Sequence, residues 1–579
     1  MRNEIRMYLD NNLVGIANNW QGITVAMTFE DENVQPSIET DELEFVLATN
    51  ADIRKWIDDG IDGGGVGIYE PPDLRIEITD GTSRLDVFNG LLDMTNDMLF
   101  VDCNTVRVKL KRKGGLNQLT ERSQAISFAY LFSKGEIKQT DFVNIPYVLA
   151  HVPDIKEVLL LSLAILVMSK EIYDGARQLG KDAATVVGDI VDYPPNPAGS
   201  IAAGIALAAV DTAFLAGMTI ALKKLIEEFL DALMAPVGYY KAMKLQKLLE
   251  VGAEHMGYTF ESTFFDNTNN QNLCILPVKE GKAENGKIVQ LDGNKVVDYG
   301  FPTNKGQLYT YYDILQFFKT LINGKIRVIG TVIHIERKDY WSTLSNYTLP
   351  DVLLREYKYN ASEINSNLNI EFALDERDDT TLTNYKNNKT NFQRITEPVI
   401  VNNKKNVTLK GLEKVNIAVT LPTRKDKLTN VENRLSELAK KVDTFLGTGY
   451  SAKIKDRKGA LSIANDFTSV PKIVPLKGGK IPVNYRSIIN AEVLHYSYYY
   501  INTFSVEDDN YSQYKVYENI KIPFCFKNFV SLQENSWFNT KGGDKGKFDK
   551  IEGNIDGGFA TADFRIKSIF TKNLKDRIA

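Results

Sequence analysis

The sequence predicts a multidomain α+β protein whose strand-rich regions are interrupted by an apolar helical hairpin and, later, by a short heptad helix. Three observations predict it. Residues 43–113 alternate apolar and polar side chains with a period of two. Residues 151–256 abandon that alternation for long apolar runs, and residues 428–445 space their apolar side chains 3-4-3-4-3. At 579 residues the chain exceeds the ~250–300 that one core holds, so three or four domains are expected.

The first strands read clearly. In DLRIEITDGTSRLDVF, Leu74, Ile76 and Ile78 alternate with polar residues, Asp80-Gly81 signals a type I′ hairpin turn, and Leu85 and Val87 resume the pattern. NTVRVKLK adds a strand with Val106, Val108 and Leu110 on one face. Short strands this closely spaced build a small barrel or a sandwich. The DGGGVG run at 62–67 lacks the Gly-Lys-Ser/Thr of a phosphate loop and reads as a connection.

The hairpin comes next. YPPNPAG, residues 193–199, holds three prolines that no helix interior accepts, so it divides two helices. The first contains twelve uncharged residues, 158–169. They rise ~18 Å, short of a ~30 Å hydrocarbon core. The second, 198–224, is long enough to span but carries Asp211 near its middle, at a cost of about 3 kcal/mol in a bilayer centre. Small residues such as Gly204, Ala208 and Gly217 allow close helix approach in protein and in lipid alike. Gly204, Ala208, Asp211 and Gly217 are therefore the expected packing positions, in a hairpin either buried by protein or inserted in a membrane.

YKAMKLQKLLEVGAEHMGY predicts an amphipathic helix with Leu245, Leu248, Leu249 and Met256 on one stripe, capped by Gly257 and followed by a strand over 258–265. The same grammar recurs downstream. A helix from Tyr312 ends at Asn323-Gly324, and strands at 325–329 and 331–336 turn at Gly330. The Asn/Lys/Thr-rich stretch 380–409 reads as a surface excursion or strand-loop region. Leu428, Val431, Leu435, Leu438, Val442 and Phe445 then form an a/d seam. Thr429 with Glu432 makes a capping box, and Gly447 closes the helix. Fewer than three heptads leave two partners open for that seam, its own domain or a second copy. Residues 459–579 read as strand-rich and aromatic, as in LHYSYYYINTF, with Asp556-Gly557-Gly558 turning one strand onto the next. The expected divisions are 1–140, 141–256, 257–420, 421–455 and 456–579.

Charge is uneven. Residues 1–102 hold 21 Asp/Glu against 6 Lys/Arg, a balance of −15, and the remainder carries +10 within a net −5. An acidic block of this kind repels phosphate backbones. No apolar signal-peptide core follows the first basic residues, which points to synthesis in a cytoplasm. Cys103, Cys274 and Cys525 are odd in number and far apart, so neither a disulfide framework nor a zinc site is expected.

Chemistry is harder to place. Four histidines, His151, His255, His334 and His495, form no metal-ligand spacing, and no G-x-S-x-G elbow or H-E-x-x-H run occurs. A carboxylate pair built on Glu261 is the one glycosidase arrangement that comes to notice, with no partner the sequence can nominate. No catalytic, cofactor or metal residue is expected, and no enzyme.

The order of segments carries a resemblance. LRIEITDGTSRLDVFNGLLDMTN followed by TVRVKLKRKGGLNQLTERSQAISFAYLFSKG resembles the N-terminal barrel region of tailed-bacteriophage tail-tip or baseplate hub proteins. KLLEVGAEHMGYTFESTFF, YDILQFFKTLINGKIRVIGTVIHIERKDYW, RKGALSIANDFTSVPKIVPLKGGKIP and GKFDKIEGNIDGGFATADFRIKSIFTKNL resemble the later hub modules. The resemblance implies tandem β-barrel domains and a homotrimer at the virion tail tip. It implies a lumen that passes DNA without specific binding. The partners it implies are a tail tube or distal tail protein, the C-terminus of a tape-measure protein, and fibre or spike proteins. The helical hairpin departs from the minimal hub. It suggests a second role, a membrane-active ejection protein that contacts the host membrane through residues 155–230. Tyrosine-rich C-terminal strands suggest a third, host recognition.

Overall fold

The computed structural model describes residues 4–567 apart from 63–70, 150–159, 166–219, 291–307, 500–513, 524–531 and shorter connecting stretches. It is a mixed α+β chain, mostly sheet, with sheets curled as half-barrels. Two seven-stranded sheets share one hydrophobic core, in which Met7, Phe45, Val106, Phe538, Phe548 and Phe564 are all fully buried.

The N-terminal sheet confirms the period-two segments. Asp73–Thr79 pairs antiparallel with Arg84–Asp93, and Val106 and Val108 of Thr105–Arg112 point into the core. Thr79 pairs with Arg84, and the expected Asp80-Gly81 turn lies outside the described residues. A register shift opposite Ile76 and Glu77 accompanies this, and Val87 and Phe88 are both buried. Two adjacent inward side chains need such a bulge, and the core rather than the turn sets the register.

The C-terminal sheet is completed from the other end of the chain. Lys545–Asn554 pairs with Phe559–Lys567 on one side and with Thr24–Thr28 on the other, five residue pairs in the latter case. The expected divisions therefore do not coincide with the sheets. Nor do they at residues 256 and 455. A five-stranded sheet takes strands from Phe142–Leu149, Gly238–Lys244, Leu273–Leu276, Leu461–Ile463 and Lys472–Pro475.

Within that sheet Phe142–Leu149 and Gly238–Lys244 are antiparallel neighbours, with Tyr147 opposite Gly238. The segment between them thus leaves and re-enters the fold at one strand pair. Gly238 has a steric reason: a Cβ there would lie 2.3 Å from the Tyr147 ring. The amphipathic helix runs Leu245–His255 with Leu245, Leu248 and Leu249 fully buried, and Gly257 adopts φ 81° after it. Its start is corrected. Residues 240–244, expected in the helix, belong to the Gly238–Lys244 strand, whose buried Tyr240, Ala242 and Met243 pack on the sheet.

Two helices, Leu245–His255 and Tyr311–Leu321, then fill a second core together with the strands Gly324–Ile329, Val332–Arg337 and Asn365–Phe372. Two further expectations change. LHYSYY is helical, Ala491–Leu494 running into a π-turn at His495–Tyr499, because Asn490 caps the start and His495 and Tyr499 are buried. The 380–409 stretch is only partly superficial. It includes most of the helix Asp379–Asn384, with Thr381, Asn388 and Thr390 almost wholly buried.

Candidate assembly surface

Gly204, Ala208, Asp211 and Gly217 lie outside the described residues, as do His151, Cys525 and the 193–199 breaker. Residues 160–162 and 164–165 are helical, and Ile220–Leu233 is a helix. Among the described residues no helix is long and apolar enough to cross a membrane.

Five of the six expected seam positions fall within a helix, and Leu428 precedes it. The helix runs Asn430–Leu446, and the capping box is closed: Thr429 N–H donates to Glu432 Oε2 at 2.8 Å and Glu432 N–H to Thr429 Oγ1 at 3.2 Å. Leu428 is half-buried and Leu435 fully buried within the single chain. The side chains of Val431, Leu438, Val442 and Phe445 lie outside the described residues. Glu432, Leu435, Ser436 and Ala439 are all buried, at spacings of three, four and seven that put them on one face. Behind them lies the helix Tyr450–Asp456, held by a bond from Ser451 N–H to Asp443 Oδ2 at 2.8 Å and entered through left-handed Gly449.

Glu432 does more than cap. Arg457 Nε donates to its Oε1 at 2.8 Å and Lys425 Nζ lies 2.9 Å from the same oxygen. Burial alone pushes the Glu432 carboxyl up. Hydrogen bonds from Lys425 and the Thr429 N–H, with the Arg457 charge, more than reverse this and leave it below the usual carboxylate range. A lowered folded pKa gives stability that is present above the unfolded value and lost as pH falls through the folded one. Melting temperature is therefore expected to drop as pH is lowered below 4.5, and Glu432→Gln should flatten that limb of a calorimetric pH series. An unchanged limb would show that the network carries no such weight.

A second charged cluster is fully enclosed. Lys472 Nζ sits 3.0 Å from Asp375 Oδ2, from Asp378 Oδ2 and from Thr381 Oγ1, and the Thr381 hydroxyl donates to Asp378 at 2.6 Å. This ties the helix Asp379–Asn384 to the five-stranded sheet. Burial, then neighbouring Tyr147, then the two aspartates push the phenol of Tyr240 well up.

His334 and Glu261, singled out separately in the sequence, do meet. Glu261, His334 and Arg327 are successive partners across three strands, with His334 Nδ1 3.9 Å from Glu261 Oε2. Burial lowers His334, against the Glu261 charge, which favours neutral imidazole. Neighbouring Glu336 accepts from the Thr263 N–H at 2.6 Å and from the Thr263 hydroxyl, and burial nonetheless raises its carboxyl. Arg327 stacks over Trp341 at 4.1 Å. These groups brace the sheet against the Tyr340–Thr343 turn. His255 bonds Glu136 at 2.8 Å, a helix-end contact.

The outward features are the ones that sequence reading misses. Leu99–Asp102 is a strand exposed along its whole length, with Leu99 53%, Phe100 46% and Val101 48% accessible. Its signal is four adjacent apolar residues without alternation between Asp97 and Asp102. On the C-terminal sheet the edge strand is Lys358–Tyr359, beside exposed Tyr357 with Lys515 Nζ 4.8 Å over its ring.

No family model matches the chain, and no curated protein does. Among solved structures it is similar to the 43 kDa tail protein of prophage MuSo2 from Shewanella oneidensis. That match has 8% identity and a TM-score of 0.33 over 98% of this chain and 99% of that one. It is also similar to prophage tail protein gp18 from Listeria monocytogenes EGD-e, at 6% identity and a TM-score of 0.30 over 98% and 95%. Likenesses of this size carry no weight for the fold or the function of this chain.

Proposed function

We propose that this chain is a non-enzymatic structural component of a bacteriophage tail, a hub at the tail tip in which three copies enclose a lumen for DNA. The observation that supports it is a pairing pattern used twice. In the N-terminal sheet Thr105–Arg112 has Glu42–Val46 along one side. Its other side is shared between Leu99–Asp102 at the start and Arg84–Asp93 at the end. In the C-terminal sheet Lys545–Asn554 has Phe559–Lys567 along one side. Its other side is shared between Trp537–Asn539 at the start and Thr24–Thr28 at the end.

Two alike seven-stranded half-barrels in one chain suit a ring in which three subunits present six similar units, matching a six-fold tube above. The acidic N-terminal region suits a lumen that lets phosphates pass without adhering. A distal tail or tube protein, the tape-measure C-terminus and fibres or spikes are the partners this role requires. The 150–237 insertion, anchored at one strand pair, is the part free to vary in such a ring, and host-membrane contact during ejection would fall to it.

The test is direct. Particles carrying an epitope-tagged copy should bind gold-labelled antibody at the distal tail end, and native mass spectrometry of the purified chain should find three copies. Label on the capsid, or none on intact particles, would refute the role. Deleting residues 155–230 and finding normal ejection into liposomes would remove the membrane step alone.

A further inference from the structure

The Lys472 cluster holds an amine and two carboxyl groups in contact inside the protein. Lys472 Nζ lies 3.0 Å from Asp375 Oδ2 and 3.0 Å from Asp378 Oδ2, and none of the three residues is more than 1% exposed. Desolvated charges are costly, so in a dry site a proton passes from an ammonium to a carboxylate more readily than in water. That transfer leaves a neutral amine beside a carboxylic acid, the two partners of an amide condensation. Held in contact, such partners react as though at very high concentration.

The two aspartates are not equivalent. Asp378 uses both its oxygens: Oδ1 accepts the Thr380 N–H at 3.2 Å, and Oδ2 accepts the Thr381 hydroxyl at 2.6 Å. It caps the helix Asp379–Asn384, and giving up an oxygen would undo that cap. Asp375 precedes the cap. Asp378 is therefore placed to move protons, and Asp375 to take a bond.

We propose that Lys472 and Asp375 condense into an intramolecular isopeptide bond, with Asp378 as the proton carrier. The structure shows the three groups before the bond forms. Lys472 first passes one proton to Asp375. Its Nζ then attacks Asp375 Cγ through the freed lone pair, while the Asp378 carboxylate takes a second proton from Nζ. Asp378 returns that proton to the departing hydroxyl, the Cγ–O bond breaks and one water leaves. One N–C bond replaces one C–O bond, Asp378 ends as the carboxylate it began as, and no oxidant or reductant is consumed. The bond joins residues 97 positions apart. It ties Lys472–Pro475 of the five-stranded sheet to the segment that follows Asn365–Phe372 of a three-stranded one, and a loop so closed restricts the unfolded chain.

Intact mass of the purified full chain, unfolded just before measurement, tests this. Lys472→Arg keeps a cation but has no amine to condense. Corrected for the substitution, the wild type should be lighter than Lys472→Arg by one water. Trypsin then tells the aspartates apart, because Arg377 lies between them. The expected product is a branched peptide joining residues 359–377 to 459–477, uncut after Lys472. Asp378→Asn, which can still cap the helix, should slow formation of the branch during refolding by about a hundredfold or more.

A wild-type chain that unfolds cooperatively in urea yet matches Lys472→Arg in corrected mass would overturn the proposal. So would a branch that carries residues 378–386 in place of 359–377, because Asp378 would then hold the bond that Asp375 is assigned. An unchanged rate in Asp378→Asn would remove that residue as the proton carrier.

Discussion

Replacing Lys472 by methionine is expected to lower stability by about 3–5 kcal/mol, read as a fall in the urea midpoint of the transition that includes the five-stranded sheet. Lys472 is 1% exposed, and Asp375 and Asp378 are both fully buried. The ammonium therefore spends its three donors on Asp375, Asp378 and Thr381, with none left to water. Methionine keeps most of the volume and removes the ammonium that lies 3.0 Å from each carboxylate. Two carboxylates then face each other across a dry interior, where repulsion is little screened. Adding Asp375→Asn and Asp378→Asn to Lys472→Met should recover much of the lost stability, because an asparagine side chain can still accept the Thr380 N–H that Asp378 accepts at 3.2 Å. A midpoint that Lys472→Met leaves unmoved would mean that water reaches this cluster.

Gly252→Ala is expected to destabilise the chain, against what helix propensity says. Gly252 lies inside Leu245–His255, where alanine would gain about 1 kcal/mol on an exposed face. The position is not exposed. A Cβ there would lie 2.0 Å from Cδ2 and 2.3 Å from Cε2 of Tyr311, whose ring is fully buried and whose hydroxyl donates to the Leu249 carbonyl at 2.8 Å. The ring cannot yield without breaking that bond or displacing packed neighbours. Overpacking of this kind costs about 1–3 kcal/mol or more, so a net loss in thermal stability is the expected sign. The double variant Gly252→Ala, Tyr311→Leu should be less damaging than the sum of its parts, with a coupling of about 1–3 kcal/mol. Simple additivity in that cycle would show that the close approach of ring and helix is not what selects glycine.

Both predictions sit where sequence reading is weakest, and the reason is common to them. Lys472 stands in PKIVPLKGG, a stretch whose lysines all look solvated, and Asp375 and Asp378 precede a segment rich in Asn, Lys and Thr. Nothing local marks a lysine for burial, because the desolvation that burial costs is offset only by partners almost a hundred residues away. Gly252 likewise reads as a weak point in a helix until Tyr311, from a different helix, is laid across it. His334 and Glu261 stand out one at a time in the sequence. Their adjacency comes from the parallel pairing of Thr259–Glu261 with Val332–Arg337, which neither segment reveals alone.

The sequence by itself determined the local periods: the strands around Ile76 and Val106, the helix buried through Leu245, Leu248 and Leu249, and the Thr429–Glu432 box that starts the heptad helix. Each of these is decided within a few residues, by which side chains share a face and which backbone N–H groups need a cap. Tertiary structure alone decided that Thr24–Thr28 joins a sheet that also holds Tyr514–Pro523, that LHYSYY coils instead of extending, and that Leu99–Val101 is exposed. Strand edges pair through backbone groups that every residue carries, and closing a loop of several hundred residues costs only slightly more than closing a short one, so side-chain pattern leaves such partners unspecified.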